Sequence, residues 1–317
     1  MAQHIAEILK DFESFLTAQA PQVPSFHTHY ESALWEMMKN GGKRFRPALL
    51  FCIVNALAPQ LIKNAFLPAL SIECIHTYSL IHDDLPCMDN APLRRGHVTL
   101  HTKYDETLAL LIGDGLNTYA FSLLAQARLD SNVKLALIES IATNAGIGGM
   151  VLGQVLDCEF ENTKLSLEQL KIIHLNKTAK LIAASLQCGG IIACASSELC
   201  EKLYVFGLEL GVYFQLRDDI IDMCLDTQEA GKTTQNDTHK NSYVNLLGLE
   251  GAKAEFMRQR AQLKEQIALF GESIAYNLTS LLEDYFKEIG LMQNLLEMYL
   301  DSKHNAKIKA KAQRFKI

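Results

Sequence analysis

The sequence predicts an all-α fold, a single helical domain around a large apolar core, and three observations lead there. Apolar residues make up 49% of the 317 positions, enough to fill the interior of a chain this long. All 7 prolines lie at or before Pro92. Proline removes a backbone donor and clashes with the preceding helical turn, so the proline-free remainder, rich in Leu, Ala, Glu and Lys, reads as one helix after another. No Pro-, Gly- or Ser-rich linker divides the chain and no short repeat recurs, so residues 1–317 are expected to form one domain.

Helical periodicity covers 3–19 and 27–39, separated by Pro21 and Pro24. Gly41-Gly42 breaks the chain before a basic entry, Lys43-Arg44-Phe45-Arg46-Pro47, into the next helix. Residues 63–85 form a long apolar helix ending near Pro86, and 86–100 is polar and irregular. Helices follow over about 103–128, 131–160, 166–194 and 197–224, with Ser166 and Gln169 spaced as a capping box. A polar loop is expected over 226–241, then helix over about 242–301. The tail carries Lys or Arg at 303, 307, 309, 311, 314 and 316. It is either a solvated basic tail or a flap over the mouth of a site.

A net charge of −6 argues against a general nucleic-acid binder. Eight cysteines are scattered without a Cys-x-x-Cys pair or zinc spacing, as expected of reduced, buried thiols in a cytoplasmic protein. The N-terminal residues lack the basic start and apolar run of a signal peptide. The most apolar stretch, 181–195, is broken by Gln187 and Gly189-Gly190, and it is shorter than the roughly 20 residues a membrane span needs. No transmembrane segment is expected.

Two acidic clusters interrupt apolar helices. In the first, Asp83 and Asp84 end an apolar helix and Asp89 lies just past a proline turn. In the second, Asp218 and Asp222 are four apart and share a helix face, with Asp219 between them. Unpaired carboxylates are costly to bury, and hard divalent cations take oxygen ligands, magnesium commonly one or two carboxylates plus substrate phosphates. Cations stand in separate short groups: Lys43, Arg44 and Arg46; Arg94 and Arg95; Lys177 and Lys180; Lys232; Lys240. Arginine forks match phosphate oxygens and lysine acts as a point charge. Arg94-Arg95-Gly96 follows Asp89 by five residues, which sets metal ligands beside anion donors, as in a metal-bridged diphosphate site.

These motifs resemble the trans-isoprenyl diphosphate synthases of the bacterial farnesyl and geranylgeranyl type. Gly41-Gly42-Lys43-Arg44-Phe45-Arg46-Pro47 matches that family's Gly-Gly-Lys-Arg-x-Arg-Pro. Asp83 to Asp89 with Leu93-Arg94-Arg95-Gly96 matches its first acidic motif with the two-residue insertion. Gly153-Gln154-x-x-Asp157, Lys177-Thr178, Phe214-Gln215-x-x-Asp218-Asp219-x-x-Asp222 and Gly231-Lys232 follow in family order. Two departures stand out. Asn90-Ala91 replace further acids after the first motif, and only Lys240 is kept of a late Gly-Lys-Ser-Thr signature.

The resemblance implies an isoprenoid-synthase-like helical bundle around a central cavity. It implies a magnesium-dependent enzyme, usually homodimeric, that condenses isopentenyl diphosphate with the allylic diphosphates of dimethylallyl and geranyl alcohols. Asp83, Asp89 and Asp218 would hold magnesium, with Asp84 and Asp222 in support. Arg94, Lys177 and Lys232 would cage the allylic diphosphate, with Lys240 a weaker match, and Lys43, Arg46, His76 and Arg95 would hold isopentenyl diphosphate. Thr178 and Gln215 would line the site near the allylic carbons. Tyr78, five residues before Asp83, lies roughly 7–8 Å down the same helix and is bulky enough to cap a fifteen-carbon tail; Ser79 beside it is too small to do so alone. A twenty-carbon product is the alternative. Three rivals remain. A metal phosphohydrolase of the His-Asp type would use His82-Asp83. A terpene cyclase would share only the first acidic motif. A non-catalytic partner subunit would typically lack one of the two motifs present here.

Overall fold

The computed structural model describes residues 4–224 and 241–286, and within them the chain is helical apart from one short hairpin. The first half comprises α1 (Ile5–Ala18), α2 (Tyr30–Leu34), α3 (Glu36–Lys39), α4 (Phe45–Leu57) and α5 (Phe66–Asp83), then the hairpin β1 (Leu93–Arg94) and β2 (His97–Val98). There follow α6 (Leu100–Lys103), α7 (Glu106–Gln126), α8 (Ser131–Ala145), α9 (Met150–Glu159) and α10 (Leu167–His174). A π turn (Leu175–Ala179) leads into α11 (Lys180–Ile192), and then come α12 (Ser197–Cys224), α13 (Tyr243–Ile267) and α14 (Glu272–Tyr285). Helical dihedrals are interrupted inside α13 at Gly248.

Three helices are apolar on nearly every face: α4, α5 and α11. Such helices have no solvent side and must be surrounded. α5 packs along α7 and against α4; α11 packs between α4, α8 and α12; α13 covers α12, and α14 covers α4. Pro47 and Pro68 sit in the first turns of α4 and α5, where the missing N–H has no intrahelical partner to lose. The predicted capping box at Ser166 and Gln169 starts α10, with both reciprocal bonds formed. α5 ends at Asp83, because Pro86 follows and the chain turns back on itself at once.

Some expectations need correction. The helix predicted over 131–160 is two helices, broken at 146–149 by three glycines. The irregular segment 86–100 contains the hairpin. Cys52, Cys74, Cys188 and Cys200 are buried as expected, whereas Cys87, Cys158 and Cys194 are exposed. Residues 106–126 and 131–159 are long and apolar enough, by composition alone, to cross a membrane. The first packs along α5 and the second is broken in the middle, so both serve as bundle helices. Lys232, Lys240 and the basic tail lie outside the described residues.

At one end of the core, Phe51 of α4 meets Phe12 of α1 edge-on at 5.3 Å and Phe66 of α5 at 5.5 Å. All three rings are buried. Phe51→Ala should therefore lower unfolding free energy by about 3–5 kcal/mol, measured by urea titration, and leave specific activity at low temperature close to the parent's.

Candidate active site

The C-terminus of α5 delivers Asp83 and Asp84 to the same place with opposite surroundings. Asp83 accepts a hydrogen bond from Gln154 Nε2 of α9 (2.5 Å) and lies 3.6 Å from Lys177 Nζ. Burial holds its carboxyl above the usual carboxylate range; Lys177 pulls it back and Asp89 pushes it further up. Asp84 is only 2% exposed, and its Oδ1 accepts from both Nε (2.8 Å) and Nη2 (2.5 Å) of Arg94. Burial pushes this carboxyl up to about 6 in spite of Arg94. Asp84, expected as a supporting metal ligand, is enclosed here and anchors Arg94.

Arg94 and Arg95 go separate ways because of the hairpin. Its two central residues, Arg95 (φ 54°) and Gly96 (φ 77°), are both left-handed, the geometry of a type I′ turn. Glycine adopts it readily, but arginine there costs about 1–2 kcal/mol. In return Arg94 faces Asp84, while Arg95 reaches across to donate to the Gly41 carbonyl (2.8 Å).

Arg95 joins a second, cationic pocket. Its Nη2 lies 3.9 Å from Glu73, a fully enclosed acid on α5. Glu73 also pairs with Arg44 (2.7 Å), which bridges on to Glu13 (2.6 Å) and the Met38 carbonyl (2.6 Å). Arg44, the left-handed N-cap of α4, is therefore a structural strut tying α1, α3 and α5. Arg46, two residues on, is buried too, and its Nε finds no partner among the described residues. Burial holds the His76 imidazole well below its usual range, and Arg46, Arg95, Arg94 and Arg44 push it further down. The ring is neutral at physiological pH. Lys43 Nζ stands 5.1 Å above the Tyr285 ring. Within this pocket the buried Arg46 is the cation whose Nε has no partner among the described residues.

The second acidic cluster lies on α12 and is tied to the first through the π turn. Lys177 of that turn pairs with Asp157 of α9 (2.6 Å) as well as with Asp83. Burial works against its charge, yet Asp83 and Asp157 hold the ammonium well above the usual lysine range. The next residue, Thr178, donates to Gln215 Oε1 of α12 (3.1 Å), and Gln215 Nε2 donates to Asp219 Oδ1 (3.1 Å). Asp219 Oδ2 accepts from the Tyr243 backbone N–H (2.8 Å). Burial pushes Asp219 up to about 7. The middle acid of each motif, Asp84 or Asp219, is used internally; Asp83, Asp218, Asp219 and Asp222 are part-buried and Asp89 is exposed. Asp218 lies 3.2 Å from Arg217 Nη1. Among the described residues no three His, Cys, Asp or Glu side chains are grouped to hold a metal by themselves.

Tyr78 is 8% exposed, four residues below His82 on α5, and Ser79 Oγ donates to the His76 carbonyl (2.8 Å). His82 faces α7, with Nε2 on the Leu110 carbonyl (3.0 Å), and so lies outside the acidic site that a His-Asp phosphohydrolase would need. The sequence reading assigned no role to Glu73, Gln154, Asp157 or Asp219. A lone acid inside the apolar run 66–81 was the available signal for Glu73; the other three stood in quoted motifs.

Fold and site together define the class of helical synthases that move prenyl groups between diphosphates. The chain belongs to the polyprenyl synthetase family, whose family model matches residues 27–285. It is a trans-prenyltransferase, and prenyl diphosphates are its substrates. A solved geranyltransferase from Helicobacter pylori, complexed with magnesium and isoprenyl diphosphate, is 49% identical with a TM-score of 0.86, over 89% of this chain and 96% of that one. The farnesyl diphosphate synthase of Geobacillus stearothermophilus is 42% identical over 257 residues, 76% of this chain and 86% of the relative. That of Micrococcus luteus is 40% identical over 244 residues, 76% and 82% respectively.

Gly153 is what lets Lys177 meet Asp157. A Cβ on it would lie 2.1 Å from the Lys177 backbone nitrogen. Gly153→Ala should push α9 off the π turn and lower kcat by about 10- to 100-fold, in steady-state assays alongside a melting curve that falls by only several degrees.

Proposed function

We propose that the chain condenses isopentenyl diphosphate with dimethylallyl and then geranyl diphosphate, and releases farnesyl diphosphate. The observation that carries this is the pairing of two unlike sites: a carboxylate site on Asp83, Asp89, Asp218 and Asp222, and an arginine pocket on Arg46, Arg95 and His76, whose cations act on the acids as well. The first offers only oxygen donors, crowded enough that burial and Asp89 already raise Asp83. That donor set fits magnesium, whose coordination substrate phosphates would complete, since no three such side chains are grouped among the described residues. Asp83, Asp89 and Asp218 are the direct ligands in this reading, with Asp222 in support and Asp84 acting through Arg94. Magnesium, when bound, would neutralise the charge that develops on the departing diphosphate.

The chain's own groups do the rest. Lys177 and Arg94 are held by Asp157 and Asp84 so that they face the leaving diphosphate without reorganising. Lys232 and Lys240, outside the described residues, keep the diphosphate-binding role that their motifs imply. Lys43, Arg46 and Arg95 fix isopentenyl diphosphate, and neutral His76 can donate to a phosphate oxygen. Thr178 and Gln215, bonded to each other, border the allylic carbons, and an apolar tail site would keep water from the carbocation. Tyr78 then limits the tail to fifteen carbons. The free thiols of the described residues suit the reducing cytoplasm.

The test is incubation with magnesium, dimethylallyl diphosphate and isopentenyl diphosphate, with products separated by chain length. A fifteen-carbon main product is expected, and phosphate release without prenyl transfer would refute the reading. Asp83→Asn and Asp218→Asn should each lower kcat on the order of a thousandfold while circular dichroism stays unchanged.

Two copies of the chain form the working unit in this proposal. Leu110 and Leu111 on α7 and Val151, Leu152 and Val155 on α9 are exposed apolar side chains near the acidic end of α5, and Leu111 is 54% exposed. Apolar area of this kind on a helix that already packs along α5 fits a second copy. Leu111→Glu with Val155→Glu should convert a dimer to a monomer, read by light scattering; a parent that is monomeric at micromolar concentration refutes it.

A further inference from the structure

Product length need not depend on Tyr78 alone. A phenol ring can act as a stop only if something prevents it from swinging aside when a hydrocarbon tail presses on it. Residues four apart on a helix are neighbours, and helical side chains lean toward the N-terminus. The side chain at 82 therefore lies over the one at 78. The rings of Tyr78 and His82 meet edge to face, 5.7 Å apart at 76°.

His82 is itself immobilised from behind. Its Nε2 lies 3.0 Å from the Leu110 carbonyl of α7. A carbonyl oxygen only accepts, so Nε2 carries the hydrogen. Asp114 Oδ1 is 3.9 Å from the same nitrogen. The ring also fills a notch in α7: a Cβ on Gly113 would sit 2.1 Å from Nε2. Backbone lies behind the imidazole and Tyr78 in front of it. The imidazole therefore occupies the space between α5 and α7 into which Tyr78 could otherwise fold.

We infer that His82 is a positioning residue for product length, holding Tyr78 across the path of the growing chain by filling the notch at Gly113. The inference rests on the reading of Tyr78 as the chain-length stop. A smaller residue at 82 leaves a hollow beside α7, so Tyr78 can turn into it and the tail can pass.

The experiment measures product chain lengths from the full-length enzyme with magnesium, an excess of isopentenyl diphosphate and geranyl diphosphate. The variants are Tyr78→Ala, His82→Ala, His82→Gln and the double variant. His82→Ala should raise the proportion of products beyond the parent's main length by about fivefold, the worth of one well-placed aromatic contact. His82→Gln, whose amide can still donate to Leu110, should stay closer to the parent. The double variant should match Tyr78→Ala, because the prop acts only through the ring it supports. Longer products from Tyr78→Ala with none from His82→Ala overturn the prop and leave the Tyr78 reading intact. An additive double variant also overturns it. Unchanged lengths in every variant overturn both. If His82→Ala does not fold, His82→Asn, too short to reach beneath Tyr78, takes its place with the same outcomes.

Discussion

The Lys177 ammonium, on a part-buried side chain, lies 2.6 Å from Asp157 Oδ2 and 3.6 Å from Asp83 Oδ1. A part-buried cation is favoured by partners at fixed distances, and those partners come from α9 and α5. To bring them within reach, α9 must run against the π turn with no side chain between, which is why position 153 is glycine. The turn itself is an extra-residue insertion of the kind often found at functional sites. It aims Lys177 toward α5 and α9 while its neighbour Thr178 points to Gln215 on α12. One local irregularity thus sets the relation between two acidic clusters that are far apart in sequence.

The same logic orders the acids. In each cluster the middle carboxylate is engaged within the fold, the enclosed Asp84 by Arg94 and the part-buried Asp219 by Gln215 and the Tyr243 N–H. These inner acids tie the ends of α5 and α12 to their neighbours through Arg94, Gln215 and the Tyr243 backbone. Electrostatic preorganisation has this general form: charges are fixed before the ligand arrives, so no reorientation is needed when charge develops. The arginine pocket repeats the pattern with the signs reversed. Glu73 is the inner anion that allows Arg44, Arg46 and Arg95 to stand beside a neutral His76.

Much of this was legible in the sequence. The distribution of proline and the apolar periodicity specify helices, because both act through local backbone chemistry. The Ser166 capping box needs only two side chains three residues apart, and it is formed. The acidic and basic motifs announced a metal and diphosphate chemistry, since clustered charge inside apolar helices has few other uses. The break at 146–149 was less legible than its three glycines should have made it. The apolar pattern on either side keeps the helical period, and only the local backbone interrupts it.

What the sequence by itself determined is composition along the chain: which segments are helical, which residue types gather in each motif, and hence the class of chemistry. What the tertiary structure alone decided is which member of each motif faces where. Asp83 and Asp84 are adjacent in sequence and equivalent by type. One meets Gln154 and Lys177 and the other is enclosed by Arg94, because α5 ends there and successive residues on a helix point about 100° apart. Arg44 and Arg46 separate for the same reason, the first into a strut with Glu13 and Glu73, the second into the pocket. Direction depends on where neighbouring elements lie, and those neighbours come from other segments, Gln154 beside Asp83 from 71 residues away. Local sequence carries no information about that proximity until the bundle has closed.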